Sequence, residues 1–172
     1  GEEEDIIHSG VEFSDTIVRE VMVPRTDMVT VEATDSVEHA MEAFLSSRYS
    51  RIPVISGDVD EVVGVLYLRD VTSFVYRRPD ETSSSPVTRI MKPARFVPDL
   101  QSADDLLRQM QQEANHLALV VDEYGGIAGL VTMEDLIEEL LGDIHDEHDR
   151  EVPDVVPQLD GTFIVNARMD IE

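Results

Sequence analysis

The sequence lacks several residue types that particular kinds of site require. Its 172 residues include no cysteine and no tryptophan, and aromatic residues make up only 5%. The absence of cysteine excludes disulfide bonds, cysteine zinc sites and thiol nucleophiles. Because aromatics are so few, the core has to be built mainly from aliphatic side chains. That composition suits a layered α/β protein, in which amphipathic helices cover aliphatic strands.

Long hydrophobic runs and positive charge are also scarce. No apolar run approaches the roughly 20 residues that are needed to cross a bilayer. Thirteen basic residues stand against 37 acidic ones, which gives a formal net charge of -24. Such a surface repels DNA, RNA and anionic lipid headgroups, so we expect no nucleic-acid partner. A small nucleotide can still bind where an Arg or a helix N-terminus dominates at short range.

The chain does contain an internal repeat. Val21–Pro24 recurs as Ile90–Pro93, and a short strand is predicted after each copy, at Met28–Val31 and at Arg95–Val97. An amphipathic helix is predicted next in each copy, because apolar residues recur at helical spacing. These apolar stripes are Val37, Ala40, Met41, Phe44 and Leu45 in the first copy, and Ala103, Leu106, Leu107 and Met110 in the second.

Ser36 or Asp35 is the expected N-cap of the first of these helices, and Ser102 that of the second. Two aliphatic strands and a final helix follow in each copy. The expected strands are Arg51–Ile55 and Val62–Leu66 in the first copy, and Leu117–Val121 and Ile127–Val131 in the second, with the final helices starting near Asp70 and Asp135.

The predicted fold is therefore α/β (α+β): two pseudo-symmetric β-α-β-β-α repeats packed sheet to sheet, with two related clefts. One copy alone is too small to bury its sheet face well. The expected organisation is an N-terminal linker or helix (1–20), repeat 1 (21–76), an inter-repeat linker (77–89), repeat 2 (90–142), an acidic linker (143–158) and the truncated start of another domain (159–172), with a strand at Thr162–Val165. Both ends of the sequence are typical of a piece cut from a longer protein.

The two copies resemble CBS (cystathionine-β-synthase) repeats, and the pair resembles a Bateman module. That family's repeat ends in Gly, two hydrophobic residues, Thr or Ser, two variable residues and Asp. Gly129–Asp135 matches this pattern in full, whereas Gly64–Asp70 has Tyr67 at the hydroxyl position. The resemblance implies a regulatory module that binds ATP, ADP or AMP and commonly forms homodimers.

Longer matches are similar to the CBS pair of the CorC/HlyC group, the hemolysin-like magnesium and cobalt efflux membrane proteins. They are Met22–Met28, Tyr49–Val54, Asp122–Gly126, Glu134–Ile144 and Asp160–Val165. In that group a membrane domain precedes the CBS pair and a transporter-associated domain follows it. The resemblance thus implies a module on the cytoplasmic side of a membrane, with the membrane domain of the same polypeptide as a partner.

An adenine nucleotide needs an apolar slot, an acceptor for the ribose hydroxyls and partners for phosphate. Asp135 is the expected ribose acceptor, and Thr132 and the helix N-terminus after it are expected to face phosphate, with Glu134 close by. Arg51 is the expected phosphate partner. The remaining expected contacts of this cleft are Ile52 and Pro53 as an apolar wall, and Ser50 and Tyr49 as polar groups.

A second cleft is expected at Asp70, near His116 and Ala118, and it lacks an Arg equivalent. Each of these roles has an alternative: Thr132 and Asp135 also fit a simple helix cap, and Arg51 also fits a surface ion pair. The Gly125–Gly129 run is expected to form a hairpin turn instead of a dinucleotide loop, because it joins two strands.

No catalytic constellation is apparent in the sequence, so we expect a binding module and not an enzyme. His145–His148 has a spacing that could hold a divalent metal, but its acidic surroundings are generic, and we assign no metal site. Two other functions stay open: a divalent-cation sensor that uses the acidic face, with magnesium alone or with the nucleotide, and a purely structural dimerisation module.

Overall fold

Two main β-sheets and four α-helices account for most of the regular structure in the described residues. The computed structural model describes residues 15–148, 155–157 and 163–165, and describes side chains from residue 15 to residue 142. These residues form two compact units. The first unit is Val23–Val97 with Leu117–Leu130, and the second is Pro98–His116 with the described parts of 1–22 and 131–172.

The elements follow the predicted β-α-β-β-α order twice. The strands are β1 (Val23–Pro24), β2 (Val31–Glu32), β3 (Arg51–Ile55), β4 (Val62–Tyr67), β5 (Phe96–Pro98), β6 (Leu117–Val121), β7 (Ile127–Thr132), β8 (Val155–Pro157) and β9 (Phe163–Val165). The helices are α1 (Val37–Leu45), α2 (Leu68–Arg77), α3 (Ala103–Glu113) and α4 (Met133–His148). The sheets have the strand orders β2-β3-β4, β1-β7-β6-β5 and β8-β9.

Several element boundaries differ from the predicted ones. The strand expected at Met28–Val31 is confined to β2, because only Val31 and Glu32 pair with β3. Met28 instead packs against a buried aliphatic cluster. Both final helices begin two residues before the expected Asp, at Leu68 and Met133.

The C-terminal part of the chain is more regular than predicted. Helix α4 continues to His148, six residues into the stretch expected to be a linker. The strand expected at Thr162–Val165 is observed as β9, and it pairs with β8, which the sequence analysis placed in that linker. The expectation for residues 1–14 lies outside the described residues. Within the described residues, no helix combines the length and hydrophobicity that crossing a membrane requires.

The Gly125–Gly129 run forms the predicted hairpin turn between β6 and β7. Gly125 has φ +84°, a left-handed conformation that favours glycine. The Asp122 carboxylate accepts hydrogen bonds from the backbone N–H groups of Tyr124 (2.9 Å) and Gly126 (3.0 Å), which closes the turn. Strand β7 follows directly, so the run opens no helix.

Both predicted serine caps are present. The Ser36 hydroxyl accepts from the backbone N–H of His39 at 3.0 Å, and the Ser102 hydroxyl accepts from that of Asp105 at 3.3 Å. Each cap satisfies one of the N–H groups that a helix leaves unpaired at its start.

The starts of these two helices are also hydrogen-bonded to equivalent segments that lead into the repeats. We call residues 16–21 the first leading segment and residues 85–90 the second. The Val37 N–H donates to the Ser85 carbonyl at 2.8 Å, and the Ala103 N–H donates to the Thr16 carbonyl at 2.8 Å. Val87 and Val18, at matching positions of the two segments, are both fully buried. The stretch expected to be a plain inter-repeat linker therefore closes the N-terminus of α1.

Two aliphatic clusters form the core of the first unit. One lies among α1, α2 and the β2-β3-β4 sheet, and consists of Val31, Val37, Ala40, Phe44, Ile52, Val54, Leu66, Val71, Phe74 and Val87. The other joins the two sheets, with Val65 from β4, Leu117 and Leu119 from β6, and Ile127 and Leu130 from β7. The predicted sheet-to-sheet packing is thus confirmed, and burying each of the Val, Ile, Leu and Phe side chains stabilises the fold by about 1.5–3 kcal/mol.

A polar network connects the two hairpins of the first unit. The Asp60 carboxylate accepts hydrogen bonds from Arg25 Nη1 (2.6 Å) and from the backbone N–H of Ile127 (2.9 Å). Arg25 Nη1 also donates to the Ile127 carbonyl at 3.1 Å. The Ile127 N–H first, and then the Arg25 guanidinium, hold the pKa of Asp60 below its ordinary value of 3.8.

Asp60→Ala should therefore lower the urea midpoint of unfolding at neutral pH, since it removes both hydrogen bonds across the hairpins. Because the folded-state pKa of Asp60 is depressed, this stabilisation is present above pH 3.8 and is lost as the pH falls through the lowered pKa. Asp80→Ala, at an exposed position, is the control. Equal midpoints for the two variants at pH 7 would contradict the role of this network.

Gly64 lies where β4 approaches the chain that enters repeat 2. The N–H and carbonyl groups of Val65 and Lys92 exchange two hydrogen bonds of 2.8 Å. A Cβ atom on Gly64 would lie 2.7 Å from Met91 Sδ and 3.0 Å from the Lys92 carbonyl oxygen. The backbones come this close because residue 64 has no side chain.

Gly64→Ala is predicted to lower the free energy of unfolding by about 1–3 kcal/mol, as overpacking in a core does. Gly142→Ala is the matched control, because a Cβ there meets nothing within 4 Å. On an exposed helix that change should be neutral or stabilising by up to about 1 kcal/mol. Urea titrations of both variants measure the difference, and a neutral Gly64→Ala would show that the approach is not tight.

Candidate functional site

The start of α4 is fixed by two hydrogen bonds. The Thr132 hydroxyl, at the end of β7, accepts from the Asp135 backbone N–H at 3.1 Å. The Met133 N–H donates to the His116 carbonyl at 3.0 Å. The capping alternative for Thr132 is thus realised, and the cap leaves the hydroxyl proton available to another acceptor.

Asp135 lines an open cleft of about 500 Å³ in the second unit. The other lining residues are Glu20, Val21, Glu138 and Glu139. Asp135 is half-buried, whereas Glu134 is exposed. Four carboxylates therefore surround this cleft, which favours cations and ligands that arrive with a cation.

The sequence reasoning missed the other acidic residues of this cleft. Glu138 and Glu139 lie three and four residues after Asp135, the spacing at which helical side chains share a face. That signal was available from the sequence. Glu20 belongs to the first leading segment, and only the hydrogen bonds of that segment to the start of α3 show where it lies.

Repeat 1 has the same backbone arrangement with different side chains. The Leu68 N–H donates to the Ser50 carbonyl at 2.9 Å, as Met133 does to His116 in repeat 2. Tyr67 takes the place of Thr132 and makes no side-chain cap to α2. Asp70 lies 3.6 Å from the Lys92 ammonium, and its buried Oδ2 atom accepts no hydrogen bond from the described residues.

Arg51 does not stand as an isolated surface cation. It is partly buried at the start of β3, and its guanidinium lies 6.0 Å from the Tyr67 ring centroid, within cation–π range. Tyr49 is half-buried, with its ring 5.7 Å from the Arg48 guanidinium, and Ser50 is exposed.

Three of the other predicted residues are buried. Ile52 and Ala118 are fully buried, Ile52 within the core cluster of repeat 1, and Pro53 is buried beside it. Any contact that Ile52 makes with a ligand would therefore come from its backbone. His116 is partly buried, and its Nδ1 atom has no hydrogen-bond partner within the described residues.

The predicted residues are divided between the two compact units. The second unit contains Thr132, Glu134 and Asp135 and brings the His116 carbonyl to the start of the same helix. The first unit contains Tyr49–Pro53, Asp70 and Ala118. The sequence analysis had placed His116 near Asp70. Its backbone carbonyl accepts a hydrogen bond from the start of α4, and the role of its side chain, like the roles of the other predicted residues, stays a prediction.

No metal-binding group of three or more His, Asp or Glu is present in the part of the chain that the structure describes. The side chains of His145–His148, the segment considered for a metal, lie outside the described side chains.

Thr132→Ala should lower the free energy of unfolding by about 1 kcal/mol, because it removes the N-cap of α4. Thr132→Ser keeps the hydroxyl and should match the wild-type protein. Urea titration of the ligand-free variants measures this effect of the cap without any contribution from a ligand. An unchanged Thr132→Ala variant would mean that the 3.1 Å bond contributes little.

Comparison with known families agrees with the internal repeat. The model of the CBS domain family matches twice, at residues 18–77 and 87–142. The chain belongs to the CBS domain family, as a tandem pair. Within that family its relatives and structural neighbours carry the names CorC, CNNM and hemolysin C, which confirms the CorC/HlyC resemblance.

Two curated relatives illustrate this. Hemolysin C of Brachyspira hyodysenteriae is 39% identical over 170 residues, which are 99% of this chain and 61% of that protein. The magnesium and cobalt efflux protein CorC of Vibrio cholerae is 37% identical over 169 residues, which are 98% of this chain and 57% of that protein. The chain thus spans less than two thirds of the length of these relatives.

Two solved structures carry a nucleotide. The CBS domain of a bacterial CNNM/CorC family Mg²⁺ transporter in complex with ATP is 42% identical, with a TM-score of 0.73, covering 83% of this chain and 99% of that one. A CBS-domain pair of Klebsiella pneumoniae with bound AMP is 29% identical, with a TM-score of 0.65, covering 74% of this chain and 99% of that one.

Proposed function

We propose that this CBS pair is a regulatory, non-enzymatic module that binds an adenine nucleotide beside the start of α4. The observation that carries the proposal is that the Thr132 hydroxyl caps α4 at the Asp135 N–H and that Asp135 lines an open cleft. A carboxylate can accept hydrogen bonds from both ribose hydroxyls, and a helix N-terminus favours phosphate. Relatives with bound ATP or AMP support this choice of ligand.

The acidic lining of the cleft determines which form of the nucleotide binds best. Glu20, Glu138 and Glu139 share the cleft with Asp135. Four carboxylates repel a free triphosphate, and Mg²⁺ bound to that triphosphate removes part of the repulsion. We therefore propose that ATP binds as its magnesium complex, and that AMP, with less charge, depends less on Mg²⁺.

The roles of Arg51 and its neighbours are part of the same proposal. Arg51 is the candidate phosphate partner, with Ser50 and Tyr49 as polar contacts and the backbone of Ile52 and Pro53 against the base. The Tyr67 ring, 6.0 Å from the guanidinium, supports this role because a cation–π contact helps to fix the position of the Arg51 head group. Asp70, His116 and Ala118 remain the candidates for a second nucleotide cleft.

For the whole protein we propose a divalent-cation efflux membrane protein, with this module on the cytoplasmic side of the membrane. The names of its relatives support magnesium or cobalt as the transported ion. In this proposal the membrane domain of the same polypeptide is the partner that the nucleotide regulates. A ligand has this effect only if it binds one arrangement of the module better than the other.

We also propose that the module forms a homodimer. Leu45 on α1 and Tyr76 on α2 are 73% and 86% exposed, and large apolar side chains of this kind are common at interfaces. Sedimentation equilibrium should show a dimer that Tyr76→Glu weakens. A wild-type monomer at all accessible concentrations would exclude the dimer.

A thermal-shift panel of ATP, ADP and AMP, each with and without Mg²⁺, tests nucleotide binding. A ligand present at 100 times its dissociation constant should stabilise the protein by about 2.7 kcal/mol. Asp135→Asn should abolish the shift, because an amide accepts hydrogen bonds only through its single oxygen and carries no charge. Mg²⁺ should strengthen the response to ATP more than the response to AMP.

Two matched variants make the panel specific. Asp70→Asn changes the equivalent position of repeat 1. If this variant keeps the full thermal shift, the ligand binds at Asp135 alone, and if its thermal shift is smaller, a second cleft at Asp70 also binds the ligand. Glu123→Gln, at an exposed position on the β6–β7 turn, should have no effect. If no adenine compound shifts the wild-type protein, or if Asp135→Asn responds as the wild type does, nucleotide binding at this helix is wrong.

The same acidic cleft favours one alternative function, a sensor of the divalent cation itself. Calorimetry with Mg²⁺ alone separates the two functions, because a specific site saturates at low stoichiometry, whereas an ion atmosphere gives weak and salt-sensitive heat. Saturable Mg²⁺ binding without any nucleotide response would favour the sensor. If neither ligand binds and the dimer persists, the module is a structural dimerisation unit.

A further inference from the structure

The first leading segment takes part in two structures at once. At its middle, the Val18 N–H donates to the Gln101 carbonyl at 2.9 Å, which joins the segment to the turn that precedes α3. At its end, Glu20 and Val21 line the cleft at α4. The segment is therefore a direct link between the lining of the candidate nucleotide cleft and another helix start of the second unit.

The middle of this segment is firmly anchored. Val18 is fully buried, and the Arg19 N–H donates to the Asp99 carbonyl at 3.0 Å. The buried Asp99 carboxylate also lies 3.8 Å from Arg19 Nε. Residues 1–14 are joined to the module through this segment, so a shift of the segment is passed along the chain in that direction. The amides of Val18 and Arg19 report such a shift, because they exchange with water only when these bonds open.

The Glu20 side chain, in contrast, is loosely held. It is exposed, and its described hydrogen bond is a long one of 3.3 Å from the Ile17 N–H to Oε1. Arg89, at the matching position of the second leading segment, donates to Glu81 at 2.7 Å and to Ser85 at 2.8 Å, and it does not line the cleft at α2. Glu20 can therefore change partners at little cost, whereas Arg89 is fixed within its own loop.

Glu20 shares its cleft with like charges. Of the four carboxylates that line this cleft in the described residues, those of Asp135, Glu138 and Glu139 belong to α4, and Glu20 alone belongs to the first leading segment. Because like charges repel, these carboxylates push the leading segment away from α4 when no cation is bound. A cation in the cleft attracts all four carboxylates and reverses the direction of this force.

We infer that Glu20 couples this cleft to the chain that precedes repeat 1. When a nucleotide brings a cation into the cleft, the Glu20 carboxylate exchanges the Ile17 N–H for the cation and draws the first leading segment towards α4. This inference rests on the proposed function, because it describes how the ligand of that same cleft acts on the rest of the polypeptide. The ligand shifts the segment because it binds the tightened arrangement better.

Amide hydrogen exchange of the ligand-free chain tests the repulsion by itself. Glu20→Gln removes the charge but keeps an oxygen that can accept from Ile17, and it should slow exchange of the Val18 and Arg19 amides about two- to fivefold. Glu123→Gln removes one charge from an exposed position outside the cleft and should leave both rates as in the wild type. Equal rates in the two variants would show that the repulsion is absent and would overturn the inference.

Magnesium ATP and metal-free AMP, used at concentrations that give equal thermal shifts, then test the coupling. Equal shifts mean equal overall stabilisation, so any further difference in exchange is local. In the wild-type protein, magnesium ATP should slow the Val18 and Arg19 amides about twofold or more beyond the effect of AMP, because only the magnesium complex brings a cation. In Glu20→Gln this difference should disappear, although magnesium ATP still gives a thermal shift.

The outcomes separate this inference from the proposed function. If magnesium ATP binds but protects Val18 and Arg19 no more than AMP does, or protects them equally in Glu20→Gln, nucleotide binding stands and the coupling is wrong. The Val65 amide, which bonds to the Lys92 carbonyl in the first unit, should respond equally to both ligands, and a difference there as large as at Val18 would also overturn the coupling. If no adenine nucleotide shifts the wild-type protein, the proposed function and the coupling both fail.

Discussion

The functional surface depends on one hydrogen bond in each repeat. This bond joins the start of the last helix, α2 or α4, to the residue that precedes strand β3 or β6. It runs from Leu68 to the Ser50 carbonyl in repeat 1, and from Met133 to the His116 carbonyl in repeat 2. Because a helix rises only 1.5 Å per residue, fixing its first N–H also fixes the residue two positions later. That residue is Asp70 in one repeat and Asp135 in the other.

The two repeats share this backbone but not its chemistry. Repeat 2 has Thr132 as a cap and surrounds Asp135 with carboxylates, whereas repeat 1 has Tyr67 at the cap position and surrounds Asp70 with cations. Duplication of one β-α-β-β-α unit therefore yields two clefts of opposite charge.

Much of the fold could be predicted from the sequence, because each element of the repeat occurs twice and each copy supports the assignment of the other. The helices at Val37–Leu45 and Ala103–Glu113, their serine caps and the β6–β7 turn are all local features, set by periodicity, hydroxyl position and glycine conformation. The leading segments lie in stretches that the sequence analysis expected to be a linker or helix (1–20) and a linker (77–89). Their burial depends on Val18 and Val87 and on backbone hydrogen bonds to distant residues, which leave no local pattern.

The candidate site was predictable in part for the same reason. The Thr132–Asp135 pair is a short motif on one turn of chain, and it was found. Glu20 was missed because it enters the cleft from a segment more than a hundred residues away. The cations that line a second cleft beside Asp70 were missed, because Arg77 and Arg78 fall in the stretch expected to be a linker and Lys92 was considered only as part of the repeated motif.

A crystal structure of this chain grown with magnesium and ATP tests the central claim most directly. The account predicts a nucleotide whose ribose hydroxyls lie about 3 Å from the Asp135 carboxylate, with a phosphate near the Thr132 hydroxyl. A structure in which the nucleotide binds away from α4, or in which carboxylates and water alone fill that cleft at saturating nucleotide, would contradict it.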